Sequence, residues 1–139
     1  MTVSQQIVQT PPTASMLDDV VAVTVPADGG WLGILRTATA GLAARLGFSG
    51  DKIEDLRIAV DEACAMLLVL TPSSGDLTCR FEIRPDELTV GISAQVRPKS
   101  KLPDPSSFAW RVLSGLASHV STTHTDDELT INLIISRPS

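Results

Sequence analysis

Cysteine is scarce: Cys64 and Cys79 are the only two, with neither a C-x-x-C spacing nor the multi-cysteine framework that staples small secreted domains. That excludes a disulfide scaffold and fits a reducing, cytoplasmic setting. Clustered basic residues are missing as well. The formal net charge is -5 and the Lys and Arg residues are scattered, so nothing resembles the footprint that neutralises a phosphate backbone. Direct nucleic-acid binding is not expected, and an acidic surface suits a basic partner instead. The first 16 residues, MTVSQQIVQTPPTASM, lack a charged start and an apolar core, so neither a signal peptide nor a membrane anchor is expected there. Residues 1–17 read as a flexible tail. His119 and His124 have no Cys or carboxylate at zinc spacing around them, so no metal site is expected. There is no internal repeat.

What is present is an ordinary globular composition, 43% hydrophobic and 19% charged, over 139 residues. That length fits one domain, read as residues 18–136. Val20, Val21, Val23 and Val25 mark a first strand over 19–26, ending at a proline. Asp28 offers a cap for a helix reaching about Leu46, with Leu32, Leu35, Leu42 and Leu46 near helical spacing and Gly47 as its stop. A second helix runs from Asp51 to about Leu70, with Ile53, Leu56, Val60, Ala63, Leu67 and Leu70 at steps of three and four.

Two alternating runs follow, Leu77, Cys79, Phe81, Ile83 and Leu88, Val90, Ile92, Ala94, separated by Arg84-Pro85-Asp86-Glu87; they predict a hairpin with one buried face. Residues 96–107 hold three prolines and read as a loop. Ser106 to about Val120 predicts a third helix, its stripe formed by Phe108, Val112, Leu116 and Val120. Leu129, Ile131, Leu133 and Ile135 alternate in at least one last strand. The order predicts an α+β, two-layer α/β sandwich: a mainly antiparallel sheet with helices on one face. Thr78, Arg80, Glu82, Thr130 and Asn132 at the alternate positions suit a second, wet face.

The stretch Asp55-Leu56-Arg57-Ile58-Ala59-Val60-Asp61-Glu62-Ala63-Cys64-Ala65-Met66 resembles the N-box helix of the GHKL ATPase superfamily (the Bergerat fold), and within it the RsbW-type anti-sigma factors. The family's segment runs L-x-x-A-V-x-E-A-C-T-N, where the Glu is the general base and the Asn ligates the magnesium of ATP. The later SSFAWRVLSGLASHV is similar to the corresponding helix of actinobacterial members acting on stress-response and developmental sigma factors. The resemblance implies that Glu62 stands at the general base and Arg36 at a position that helps grip the sigma factor. It also implies a homodimer as an expectation.

The departures gather at one pocket. Met66 stands where the family has its Asn, and a thioether does not replace an oxygen ligand of Mg²⁺. Ser93-Ala94-Gln95-Val96-Arg97-Pro98 holds neither the Asp nor the glycines of the adenine-binding D-x-G-x-G. Phe108-Ala109-Trp110-Arg111-Val112 replaces the G-x-G-L whose small residues let backbone N–H groups approach phosphate. The expectation is a degenerate pocket near Glu62, Met66 and Trp110, with Glu62 a relic base, no catalytic residue, no cofactor and no metal.

Each residue has a plainer reading beside it. Glu62 is also a carboxylate on a helix face, Met66 core packing, and Arg36 a solvated or locally paired charge. Trp110 is either a plug or an exposed anchor. Lys99 and Lys101 flank a solvated loop or, as a remnant, an anion site, and Cys64 is a small buried hydrophobe. The function expected is an anti-sigma factor that sequesters an alternative sigma factor until an antagonist with a STAS domain (an anti-anti-sigma factor) displaces it, with little or no kinase activity. The alternative is a protein serine kinase that uses Mg-ATP to phosphorylate that antagonist.

Overall fold

A computed structural model describes residues 19–138; the tail expected over 1–17 lies outside them. β1 (Asp19–Pro26) is followed by a single 3-10 turn, Gly29–Trp31, capped by Asp28, whose Oδ1 accepts from the Gly30 N–H at 2.8 Å. This turn leads into α1 (Leu32–Arg45), which presents Leu35, Thr39 and Ala43 inward at four-residue steps. Thr39 is buried without cost because its hydroxyl donates to the Leu35 carbonyl at 2.7 Å.

The exit from α1 is a Schellman motif. Gly47 lies in the left-handed region at φ 85°, its N–H donates to the Ala44 carbonyl, and the Phe48 N–H donates to that of Ala43. Phe48 is itself buried and closes the motif. Ser49 then caps α2 (Gly50–Leu68) by accepting from the Lys52 N–H at 3.2 Å, with Asp51 in the first turn. α2 buries Leu56, Ala59, Val60, Ala63, Cys64 and Leu67, while Ile53, Met66 and Leu70 pack half-buried at its margins.

β2 (Asp76–Ile83) and β3 (Glu87–Gln95) form the expected hairpin in register Leu77↔Ala94 to Ile83↔Leu88. β5 (Glu128–Ser136) pairs with β3, and β4 (His119–Thr125) pairs with β5, giving a five-stranded, wholly antiparallel sheet ordered β1-β2-β3-β5-β4. Its inner face buries Phe81, Val90, Ile92, Ile131 and Leu133 against α1 and α2. The outer face is polar, with in-register hydroxyls meeting across strands: Thr24 with Thr78 at 2.9 Å and Ser93 with Thr130 at 2.7 Å. This is the α+β two-layer sandwich the element order predicts.

The third helix departs from expectation. α3 spans Phe108–Leu116, and Ala117 is already extended at φ -122°, ψ 158°. Val120 therefore sits in β4, not in a helix. The run His119-Val120-Ser121-Thr122-Thr123 favours a strand through its β-branched residues. It carries no apolar alternation because β4 is an edge strand, wet on most of both faces, so the period-two signal that marks β2, β3 and β5 is lacking. The inward residue of α3 is Leu113, fully buried, whereas Phe108 is 77% exposed. The four-residue stripe drawn through Phe108 misplaces the packed face, which Leu113 and the half-buried Leu116 define.

Candidate functional site

α2 carries the recognisable segment and places Asp61, Glu62 and Met66 within little more than one turn. Arg36 on α1 faces Asp61, its Nη1 reaching the two carboxylate oxygens at 3.2 and 3.1 Å. Both side chains are about 40% exposed, so the pair is worth at most about 1 kcal/mol, and its visible effect is to hold the guanidinium at the α1–α2 seam. Glu62 is half-buried and makes no hydrogen bond or ion pair among the described residues. Cys64 lies on the inner side of the helix. Burial pushes its thiol up to about 12, the Asp61 carboxylate adds to this, and Arg36 opposes it. Cys79 is raised too, by burial first and then by Cys64. Both remain protonated near neutrality and neither is a nucleophile.

Beyond α2 the backbone carbonyls at its C-terminus are met by the loop over residues 96–107. The Arg97 N–H donates to the Leu70 carbonyl at 2.9 Å and its Nη1 to that of Val69 at 3.1 Å, a cation at the negative end of the helix. Lys99 turns the loop at φ 63°. Ser107 then caps α3, accepting from the Trp110 N–H at 3.2 Å.

Between the end of α2, this loop and the start of α3 lies an open cleft of about 220 Å³, lined by Met66, Val69, Leu70, Lys101, Pro103, Ser107 and Ala109. One hydroxyl and one ammonium aside, the side chains facing it are carbon and sulfur. Met66 and Lys101 come together here; Glu62, Trp110, Arg36 and Lys99 do not line it. Trp110 is half-buried, whereas Phe108, two residues before it, stands out from the surface. His119 and His124 lie exposed on β4, and among the described residues no cluster of three His, Cys, Asp or Glu side chains could hold a metal ion.

Sequence reasoning missed Asp61 as the partner of Arg36, since 25 residues separate them and only the packing of α1 on α2 joins them. It also missed Val69, 74% exposed at the end of α2.

No family model matches the chain. Among curated proteins it is 37% identical over 75 residues to a protein of Bacillus subtilis named serine-protein kinase RsbW, covering 52% of this chain and 47% of that protein. The protein of the same name from Bacillus velezensis is 35% identical over 80 residues, 55% of this chain and 50% of its own length. A Mycobacterium tuberculosis protein named anti-sigma-F factor RsbW is 34% identical over 93 residues, covering 67% and 55%. These relatives are all of the RsbW type. The chain spans about half the length of the RsbW proteins it matches. The antiparallel sheet with its helical layer is consistent with the GHKL-like sandwich expected of that type. Among the described residues, no helix is long and apolar enough to cross a membrane.

Proposed function

We propose that this chain is an RsbW-type anti-sigma factor that sequesters an alternative sigma factor in the cytoplasm and is released by a STAS-domain antagonist, with little or no kinase activity. The observation that carries the last clause is the chemistry of the cleft at the end of α2: Met66 faces it together with Val69, Leu70, Pro103 and Ala109. Mg²⁺ takes hard oxygen ligands in octahedral geometry, and among the side chains of this lining the only oxygen is the Ser107 hydroxyl, which already accepts from the Trp110 N–H; the rest are a thioether, aliphatic carbon and the Lys101 ammonium. The residues present do not fit a magnesium nucleotide. Without a held γ-phosphate, Glu62 has no proton transfer to perform, because phosphoryl transfer depends on positioning the phosphate and its metal.

Binding then works by competition, sigma factor against antagonist, for one folded protein. Arg36 is the contact residue of this reading. Held at the α1–α2 seam by Asp61, its planar fork is positioned to exchange one carboxylate for another on a partner. A homodimer and a role in stress-responsive transcription belong to the same proposal.

Kinase activity is the second reading, favoured by retention of Glu62 and by the name that the Bacillus relatives bear. Titration calorimetry with Mg-ATP and Mg-ADP separates the two. Sequestration without chemistry expects no heat at millimolar nucleotide, together with co-purification of a sigma factor that a STAS-domain protein displaces. Magnesium-dependent nucleotide binding would overturn it and make phosphorylation of the STAS protein the reaction to assay.

A further inference from the structure

The cleft at the end of α2 is flanked by segments that leave large apolar side chains in water. Val69 is 74% exposed, Phe108 77% and Leu102 47%, and each belongs to the cleft or adjoins a residue that lines it. Large apolar side chains left in water along the segments that wall an apolar cleft mark a place where something docks. The charge around them narrows what that is. Residues 97–111 contain Arg97, Lys99, Lys101 and Arg111 against the single carboxylate of Asp104, a net of +3; the chain totals -5, so everything outside that stretch carries -8. Lys99 and Lys101 are exposed and make no ion pair among the described residues, while Asp104 accepts from the Ser106 N–H and hydroxyl and is held low by those bonds. A stretch of net positive charge in an acidic protein thus coincides with exposed apolar side chains beside an apolar cleft.

We infer that this surface docks an acidic amphipathic segment of a partner protein, an apolar side chain entering the cleft over Met66 and Leu70 while neighbouring carboxylates meet Lys99 and Lys101. A second copy of this chain is a poor occupant, because a two-fold contact would set each lysine pair against its own image. The inference stands on this surface alone and does not require the sigma-factor reading.

The test uses the full chain and a fluorescein-labelled synthetic peptide of Leu, Ala and Glu with leucines at helical spacing, followed by fluorescence anisotropy. Two controls are a scrambled peptide of the same composition and one with Lys in place of Glu. The amphipathic acidic peptide is expected to bind, about tenfold or more tightly than either control, and to weaken as salt is raised. Phe108→Ser and Val69→Ser each lose at least about fivefold and Lys101→Glu about tenfold, all with an unchanged circular dichroism spectrum. Absence of binding, equal binding of the scrambled peptide, or affinity indifferent to the three substitutions overturns the inference. Concentration-dependent self-association abolished by Phe108→Ser overturns it in favour of a second copy.

Discussion

Leu113→Ala, set against Phe108→Ala, tests how α3 is seated. α3 has nine residues, too few for a helix to persist alone in water, where about 12–15 are marginal. Its order therefore depends on docking, and Leu113 is its one buried side chain, with no exposed surface. Truncating a fully buried Leu removes its transfer free energy and leaves a cavity, together about 2–5 kcal/mol, and we expect about 3 kcal/mol. For a domain of this size that lowers Tm by roughly 10 °C. Phe108 is 77% exposed, so its truncation should stay within about 0.5 kcal/mol. The five-residue step between them turns roughly 140° around the helix axis, so both cannot face inward. Urea unfolding followed by circular dichroism measures each value, with an unchanged m confirming that the native and unfolded states are comparable. Equal costs, or a larger cost at Phe108, would refute the placement of α3 and restore the four-residue stripe. A cost at Leu113 below about 1 kcal/mol would mean that α3 is not packed on α2.

Gly47→Ala should cost about 1 kcal/mol in urea unfolding, since an alanine at φ 85° is strained however open the space around it; a neutral effect would argue against the Schellman turn. A double-mutant cycle on Arg36 and Asp61 is expected to give a coupling of no more than about 1 kcal/mol that shrinks with added salt, and coupling of several kcal/mol would show the pair to be far drier than its exposure indicates. Cys64 and Cys79 should resist alkylation by iodoacetamide at pH 8 in the native protein and react on unfolding; rapid native reaction would contradict their burial. The same burial sets a pH dependence. The folded Cys64 thiol is raised from 9.0 to about 12, so the folded state holds its proton more tightly, and this contribution to stability is complete below about pH 9 and lost as pH rises toward 12. Cys64→Ala should flatten that alkaline limb of the stability profile.

Much of the fold was legible because burial on one side imprints a period. The alternation through Leu77 to Ile83, Leu88 to Ala94 and Leu129 to Ile135 determined three strands, and the steps of three and four from Leu56 to Leu67 determined α2. Caps and stops were equally local: Asp28 and Gly47 act within a few residues of where they stand. The apolar character of Met66 and Phe108-Ala109-Trp110 was legible too, since the chemistry a side chain can offer travels with its identity. What the sequence could not decide lay where burial is one-sided for no period or where partners are far apart. The edge strand β4 is wet and leaves no alternation. The inward face of α3 rests on one fully buried side chain, Leu113, with the half-buried Leu116 beside it, among several equally apolar neighbours. The Arg36–Asp61 pair and the cleft that Met66 and Val69 share with Lys101, Pro103 and Ala109 join segments distant along the chain, and only the packing of α1 and α3 on α2 brings them together.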